Sequence, residues 1–134
     1  NTVLNKDIAK FSYKCMSDSK WRKLFGVVND SSLKMVQCTW KLVGEQQCRS
    51  GFVPDLEQLG DNYVGDCGAL NGPFEFRRIE WLLLPQRVEF KPYKNAPTQY
   101  KTQDLMPILE HLNMLGSFEV EMDKVGLRIY GYKP

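Results

Sequence analysis

The sequence predicts an α+β fold: a two-layer domain with a mostly antiparallel sheet of about five strands, two amino-terminal helices and one helix before a carboxyl-terminal hairpin. Three observations predict it. The amino-terminal third carries apolar residues at helical spacing, and the middle and end of the chain alternate with period two. No helix falls between each successive pair of strands, which disfavours a doubly wound sheet. With 134 residues, 43% of them hydrophobic and 25% charged, the chain is expected to form a single domain, residues 1–134, with its own core.

Leu4, Ile8, Phe11 and Cys15 recur at helical spacing with Lys6, Lys10 and Lys14 between them, so residues 3–15 read as an amphipathic helix. Met16-Ser17-Asp18-Ser19 supplies a break with capping side chains. A second helix over 20–28 then presents Trp21, Leu24, Phe25 and Val28, and Asn29-Asp30-Ser31-Ser32 ends it. From Leu33 the period changes to two, with Val36, Cys38, Trp40 and Leu42 on one face. Gly44-Glu45-Gln46 turns the chain, residues 47–53 return as a shorter strand, and Pro54 closes the hairpin. Residues 54–72 are rich in glycine, with scattered apolar anchors at Leu56, Leu59, Tyr63, Val64 and Leu70. They read as a long ordered loop of the kind that carries function.

Gly72 to Pro85 is the most apolar and aromatic stretch and reads as the central strand. Phe74 and Phe76 share one parity while Ile79, Trp81 and Leu83 share the other. A bulge at Arg77-Arg78 would therefore keep one buried face, with Trp81 as a large core side chain and with Leu82 and Leu84 on the second face. Arg87, Val88, Phe90 and Tyr93 extend this strand or form another, and residues 91–102 read as a polar connection. A helix starting near Asp104 buries Leu105, Ile108, Leu109 and Leu112 and stops at Gly116. Phe118, Val120 and Met122 alternate with Glu119 and Glu121, Asp123-Lys124 turns the chain, and Val125, Leu127 and Ile129 alternate with Arg128 and Tyr130. That is the closing hairpin.

Catalytic signatures are missing from this pattern. His111, the only histidine, lies on the third helix beside an apolar stripe, and no nucleophile turn surrounds it. No spacing selects two of Asp55, Glu57, Asp61, Asp66 and Glu80 as an acid/base pair, and Asp61 to Asp66 lacks the ligand alternation of a calcium loop. The glycines from 60 to 72 lack the Lys-Ser/Thr of a phosphate loop. Cys15, Cys38, Cys48 and Cys67 form no Cys-x-x-Cys pair, so no metal site or cofactor is expected, and the cysteines read as reduced. The protein therefore reads as a non-enzyme.

The formal net charge of +2 does not argue for nucleic acid. Lys20-Trp21-Arg22-Lys23 and Arg128-Ile129-Tyr130-Gly131-Tyr132-Lys133 interleave bases with aromatics, but Trp21 belongs to a core stripe, and Tyr130 and Tyr132 are expected to cover the outer face of the sheet. The charge is unevenly placed. From Ser50 to Phe76 there are five acids, Asp55, Glu57, Asp61, Asp66 and Glu75, and no Lys or Arg. The stretch is a candidate surface for a basic partner. No apolar run approaches a membrane span and no signal-peptide pattern opens the chain, so a cytoplasmic protein is the expectation.

Ser19-Lys20-Trp21-Arg22-Lys23-Leu24-Phe25, Gly72-Pro73-Phe74 through Ile79-Glu80-Trp81-Leu82, and Leu127-Arg128-Ile129-Tyr130-Gly131-Tyr132 resemble the ordered landmarks of a family of small, uncharacterised bacterial proteins. The resemblance spans nearly the whole chain and implies a fold, with no catalytic residues to carry over. A small bacterial domain with an α+β core, an acidic irregular loop and no active-site constellation is similar to the immunity proteins that bind and neutralise a cognate toxin. That likeness implies a protein toxin with a basic cleft as partner, and neither nucleic acid nor membrane. The expected binding residues are Asp55, Glu57, Asp61 and Asp66, with Tyr63 as an aromatic anchor. The alternative is a small-ligand or regulatory domain using a sheet-face pocket around Trp40, Trp81 and Tyr130.

Overall fold

A computed structural model of the protein describes residues 2–30, 37–65, 73–91 and 93–134. Its helices are α1 (Thr2–Ala9), α2 (Asp18–Val28) and α3 (Met106–Leu115). Its strands are β1 (Tyr13–Lys14), β2 (Gln37–Leu42), β3 (Arg49–Phe52), β4 (Tyr63–Val64), β5 (Phe74–Glu75), β6 (Ile79–Pro85), β7 (Arg87–Phe90), β8 (Gln99–Thr102), β9 (Val120–Met122), β10 (Gly126–Tyr130) and β11 (Tyr132–Lys133). The main sheet has five strands in the order β3-β2-β6-β10-β9, with every neighbour antiparallel. The α+β class and the positions of the three helices match the sequence-based expectation. Among the described residues, no helix is long and apolar enough to cross a membrane.

The helix side of the sheet is where the core lies. Cys38, Trp40 and Leu42 alternate inward along β2, because period two places every second side chain on one face. They join Leu82 and Leu84 of β6, Leu127 and Ile129 of β10, Trp21, Leu24 and Phe25 of α2, and Ile108 and Leu112 of α3 in one cluster. Phe25 is its hub, with ring centres 6.2 Å from Trp21, 5.6 Å from Trp40 and 5.9 Å from Phe76. Ser17 starts α2 by accepting a hydrogen bond from the Lys20 N–H at 3.2 Å, two residues earlier than the apolar stripe suggests.

The first helix is shorter than its periodicity predicts. It ends at Ala9, and the chain then pairs with the carboxyl terminus: Tyr13 and Lys14 oppose Lys133 and Tyr132, and the Cys15 N–H donates to Gly131 O at 2.8 Å. Phe11 leaves the helical line to stack on Tyr132, 5.3 Å between ring centres, in a satellite cluster with Leu4, Ile8 and Val43. Tyr132 is thus buried in that cluster instead of covering the outer sheet face.

The central strand departs from its expected phase. Phe76–Arg78 form a turn of 3-10 helix where a simple bulge was expected, and a further irregularity falls at Glu80, where Leu42 opposes Ile79 while Lys41 opposes Trp81. The two together bury Phe74, Phe76, Ile79, Leu82 and Leu84 on the helix side and turn Trp81 to the other face, half-buried. Gly131 makes the Glu80 irregularity possible. Its N–H donates to Glu80 O at 2.7 Å, and a Cβ on it would lie 2.2 Å from Ile79 O.

Three smaller differences follow from pairings that no local pattern announces. Residues 99–102, within the expected polar connection, form β8 against β7 with all four side chains exposed. The stretch after Pro54 contains a 3-10 turn at Leu56–Gln58 and the strand β4 paired with β5. Val125 lies in the β9–β10 turn, exposed, because the Asp123 carboxylate accepts from the Val125 and Gly126 N–H groups at 2.8 and 3.2 Å.

Candidate functional site

The acidic stretch folds into a small ordered turn as far as it is described. The 3-10 turn at 56–58 is closed by Gln58, whose Oε1 accepts from the Asp55 N–H at 2.8 Å while its own N–H donates to Asp55 O at 2.9 Å. Leu59 then bridges Val64, the Gly65 N–H donates to Gln58 O at 2.6 Å, and the Gly60 N–H donates to Tyr63 O at 2.9 Å. Val64 is buried in the main core and anchors the turn, with Leu59 packed against it. The Phe76 N–H donates to Asn62 O at 2.9 Å, which ties the turn to the central segment.

Asp55, Glu57, Asp61 and Tyr63 are all exposed on this turn. Asp66 lies outside the described residues. Leu56 and Tyr63, read from the sequence as anchors, are instead 53% and 45% exposed, so the turn presents apolar surface among its acids. Gly60 sets the pose of Tyr63. A Cβ at position 60 would lie 2.0 Å from the tyrosine ring, so only glycine lets the ring lie over that backbone.

Tertiary structure adds a cation that sequence reasoning missed. Arg22, on the exposed side of α2, donates to the Asp61 carbonyl, and its guanidinium reaches the Asp61 carboxylate at 4.0 Å. The carboxylate is fully exposed, so this contact holds the backbone of the turn more than it screens the charge. The only hint in the sequence was that Arg22 falls off the apolar stripe of its helix.

The sheet-face pocket expected around Trp40, Trp81 and Tyr130 does not form. Trp40 opposes Leu82 and is buried on the helix side, whereas Trp81 opposes Lys41 and Tyr130 on the other face. That outer face is a polar and aromatic mosaic. Arg128 lies over Trp81 with 4.4 Å from guanidinium carbon to ring centre, Lys41 Nζ meets Glu80 at 3.2 Å, and Tyr130 donates to Glu121 at 3.1 Å.

A cleft of about 470 Å³ lies between α1, the β2–β3 turn and the segment 73–78. Its charges are opposed within it: Arg77 meets Glu75 at 2.5 Å and Asn5 at 2.7 Å, and Arg78 lies 3.9 Å from Glu45. His111 is half-buried on α3. Among the described residues, no group of three His, Cys, Asp or Glu side chains is placed to hold a metal ion. Cys15 and Cys48 are free thiols, Cys38 is buried in the core, and Cys67 lies outside the described residues.

Comparison of this chain with family models, with curated proteins and with solved structures finds no match. The fold and the turn define an α+β domain that displays acidic and apolar side chains on an ordered support.

Proposed function

We propose that this protein is an immunity protein that acts in the cytoplasm by binding, without catalysis, and occludes the basic cleft of a cognate bacterial toxin. One observation carries the reading: Asp55, Glu57, Asp61, Leu56 and Tyr63 are exposed together on a turn whose backbone is tied down by its own hydrogen bonds and by buried Val64. A preformed surface loses little conformational entropy on docking, which favours affinity. Its carboxylates steer a basic partner, and the exposed leucine and tyrosine supply the apolar contact that charges alone do not.

The test is binding of the protein encoded by the neighbouring gene, measured as surface-plasmon kinetics at two ionic strengths. Replacing Asp55, Glu57 and Asp61 with their amides should leave the melting curve in place, slow association and flatten its salt dependence. Loss of a desolvated pair would speed dissociation, costing on the order of 2–5 kcal/mol. An amide variant that binds and protects cells like wild type would refute the reading. The alternative, a small-ligand domain, loses its expected pocket because Trp40 and Trp81 lie on opposite faces, and the polar cleft beside Arg77 and Arg78 would be a candidate site for it.

A further inference from the structure

The main sheet ends on β9, and the bonding pattern turns part of that strand outward. The Tyr130 N–H donates to Glu119 O at 2.9 Å and the Asp123 N–H donates to Gly126 O at 3.0 Å, so Glu119, Glu121 and Asp123 direct their backbone groups at β10. In an antiparallel ladder the residues between them direct theirs the other way. The N–H and C=O groups of Val120 and Met122 therefore line an edge that no strand among the described residues covers.

The side chains along this edge are sorted by face. Val120 and Met122 oppose Ile129 and Leu127 on the helix side, where Met122 is 37% exposed. Met106, at the start of α3 and 53% exposed, joins Met122 and Leu105 around a cavity of about 310 Å³ at the end of the edge. Asp104 and Asp123 border the same cavity. On the outer face stand Glu119 and Glu121, both exposed. Lys133 reaches Glu119 at 3.3 Å and the Tyr130 hydroxyl reaches Glu121, while Arg128, opposite Glu121, leans away over Trp81.

We infer that β9 accepts an extended segment of a partner protein as a sixth strand, one whose residues alternate between apolar and basic. The apolar residues would lie on the helix side against Met122 and Met106, whose flexible thioethers adapt to varied shapes. The basic residues would lie on the outer face beside Glu119 and Glu121. Charge also excludes a second copy of this chain: edge-to-edge pairing would set Glu119 and Glu121 against themselves, and like charges directly opposite destabilise a strand pair. This surface is independent of the acidic turn, and its test does not depend on the partner proposed for that turn.

The probe is the peptide acetyl-Lys-Val-Lys-Leu-Lys-Val-Lys-amide, with its Glu-for-Lys counterpart as control, titrated into the isotope-labelled full chain. The basic peptide should slow hydrogen exchange at the Val120 and Met122 amides and bind about tenfold more tightly than the acidic one. Val120→Pro removes an outward N–H without removing a ladder bond, so it should abolish binding and keep a cooperative melt. If that variant does not fold, Glu119→Lys with Glu121→Lys decides, because it should reverse the order of the two peptides. Equal binding of both peptides, no slowing at Val120 and Met122, or slowing that appears on concentrating the protein without peptide would each overturn the inference.

Discussion

Arg128 covers Trp81 on the face of the sheet opposite α2 and α3, the guanidinium carbon 4.4 Å from the indole centre, while Trp40, one strand away, is fully buried beneath those helices. The two tryptophans should therefore respond differently to truncation. Trp40→Ala leaves a cavity among Phe25, Phe74 and Leu82 and should cost about 3–5 kcal/mol. Trp81→Ala loses partial burial and a partly buried cation–π contact, about 1–2 kcal/mol together. Urea melts of the two variants measure the difference, and equal losses would contradict the assignment of faces.

Gly60→Ala tests the turn without touching a charge. The added methyl must push the Tyr63 ring aside, which a surface side chain can accommodate, so stability should fall by less than about 1 kcal/mol. Affinity for the partner should drop by more than that, since the aromatic contact is displaced. A thermal melt alongside binding kinetics separates the two effects.

Tyr132 donates its hydroxyl proton to Arg77 O at 2.8 Å inside the satellite cluster. Burial pushes its phenol above the usual value of 10.0, with Arg77 opposing and Asp18 adding to the rise. The folded state thus holds this proton more tightly than the unfolded chain. The associated stability is fully present below the unfolded value and is lost as pH rises through the folded one. Tyr132→Phe should cost about 1 kcal/mol at neutral pH, and the gap to wild type should narrow in alkaline melts.

Cys15 should be a slow thiol. Burial, and secondarily the charge of Glu119, raise its pKa above the usual 9.0, against a smaller lowering by Lys133 and Lys20. The thiolate is the reacting species, so iodoacetamide at mildly alkaline pH should label exposed Cys48 first, and the Cys15 rate should keep climbing at higher pH. Mass mapping after timed quenching reads both sites.

Period-two alternation at Cys38, Trp40 and Leu42, the α2 stripe of Trp21, Leu24 and Phe25, and the α3 stripe of Ile108 and Leu112 were legible in the sequence because local spacing alone puts such residues on one face. The exposure of Asp55, Glu57 and Asp61 was legible too, since carboxylates mostly stay in water. Tertiary structure alone decided the rest. Whether Phe11 continued a helix or stacked on Tyr132 depended on a strand that begins more than a hundred residues later. The face of Trp81 depended on an irregularity at Glu80, and because side chains alternate strictly, one extra residue there moves an indole from the core to the outer surface. Arg22 reached Asp61 only because the end of the acidic turn is packed beside α2, a proximity that no spacing along the chain encodes.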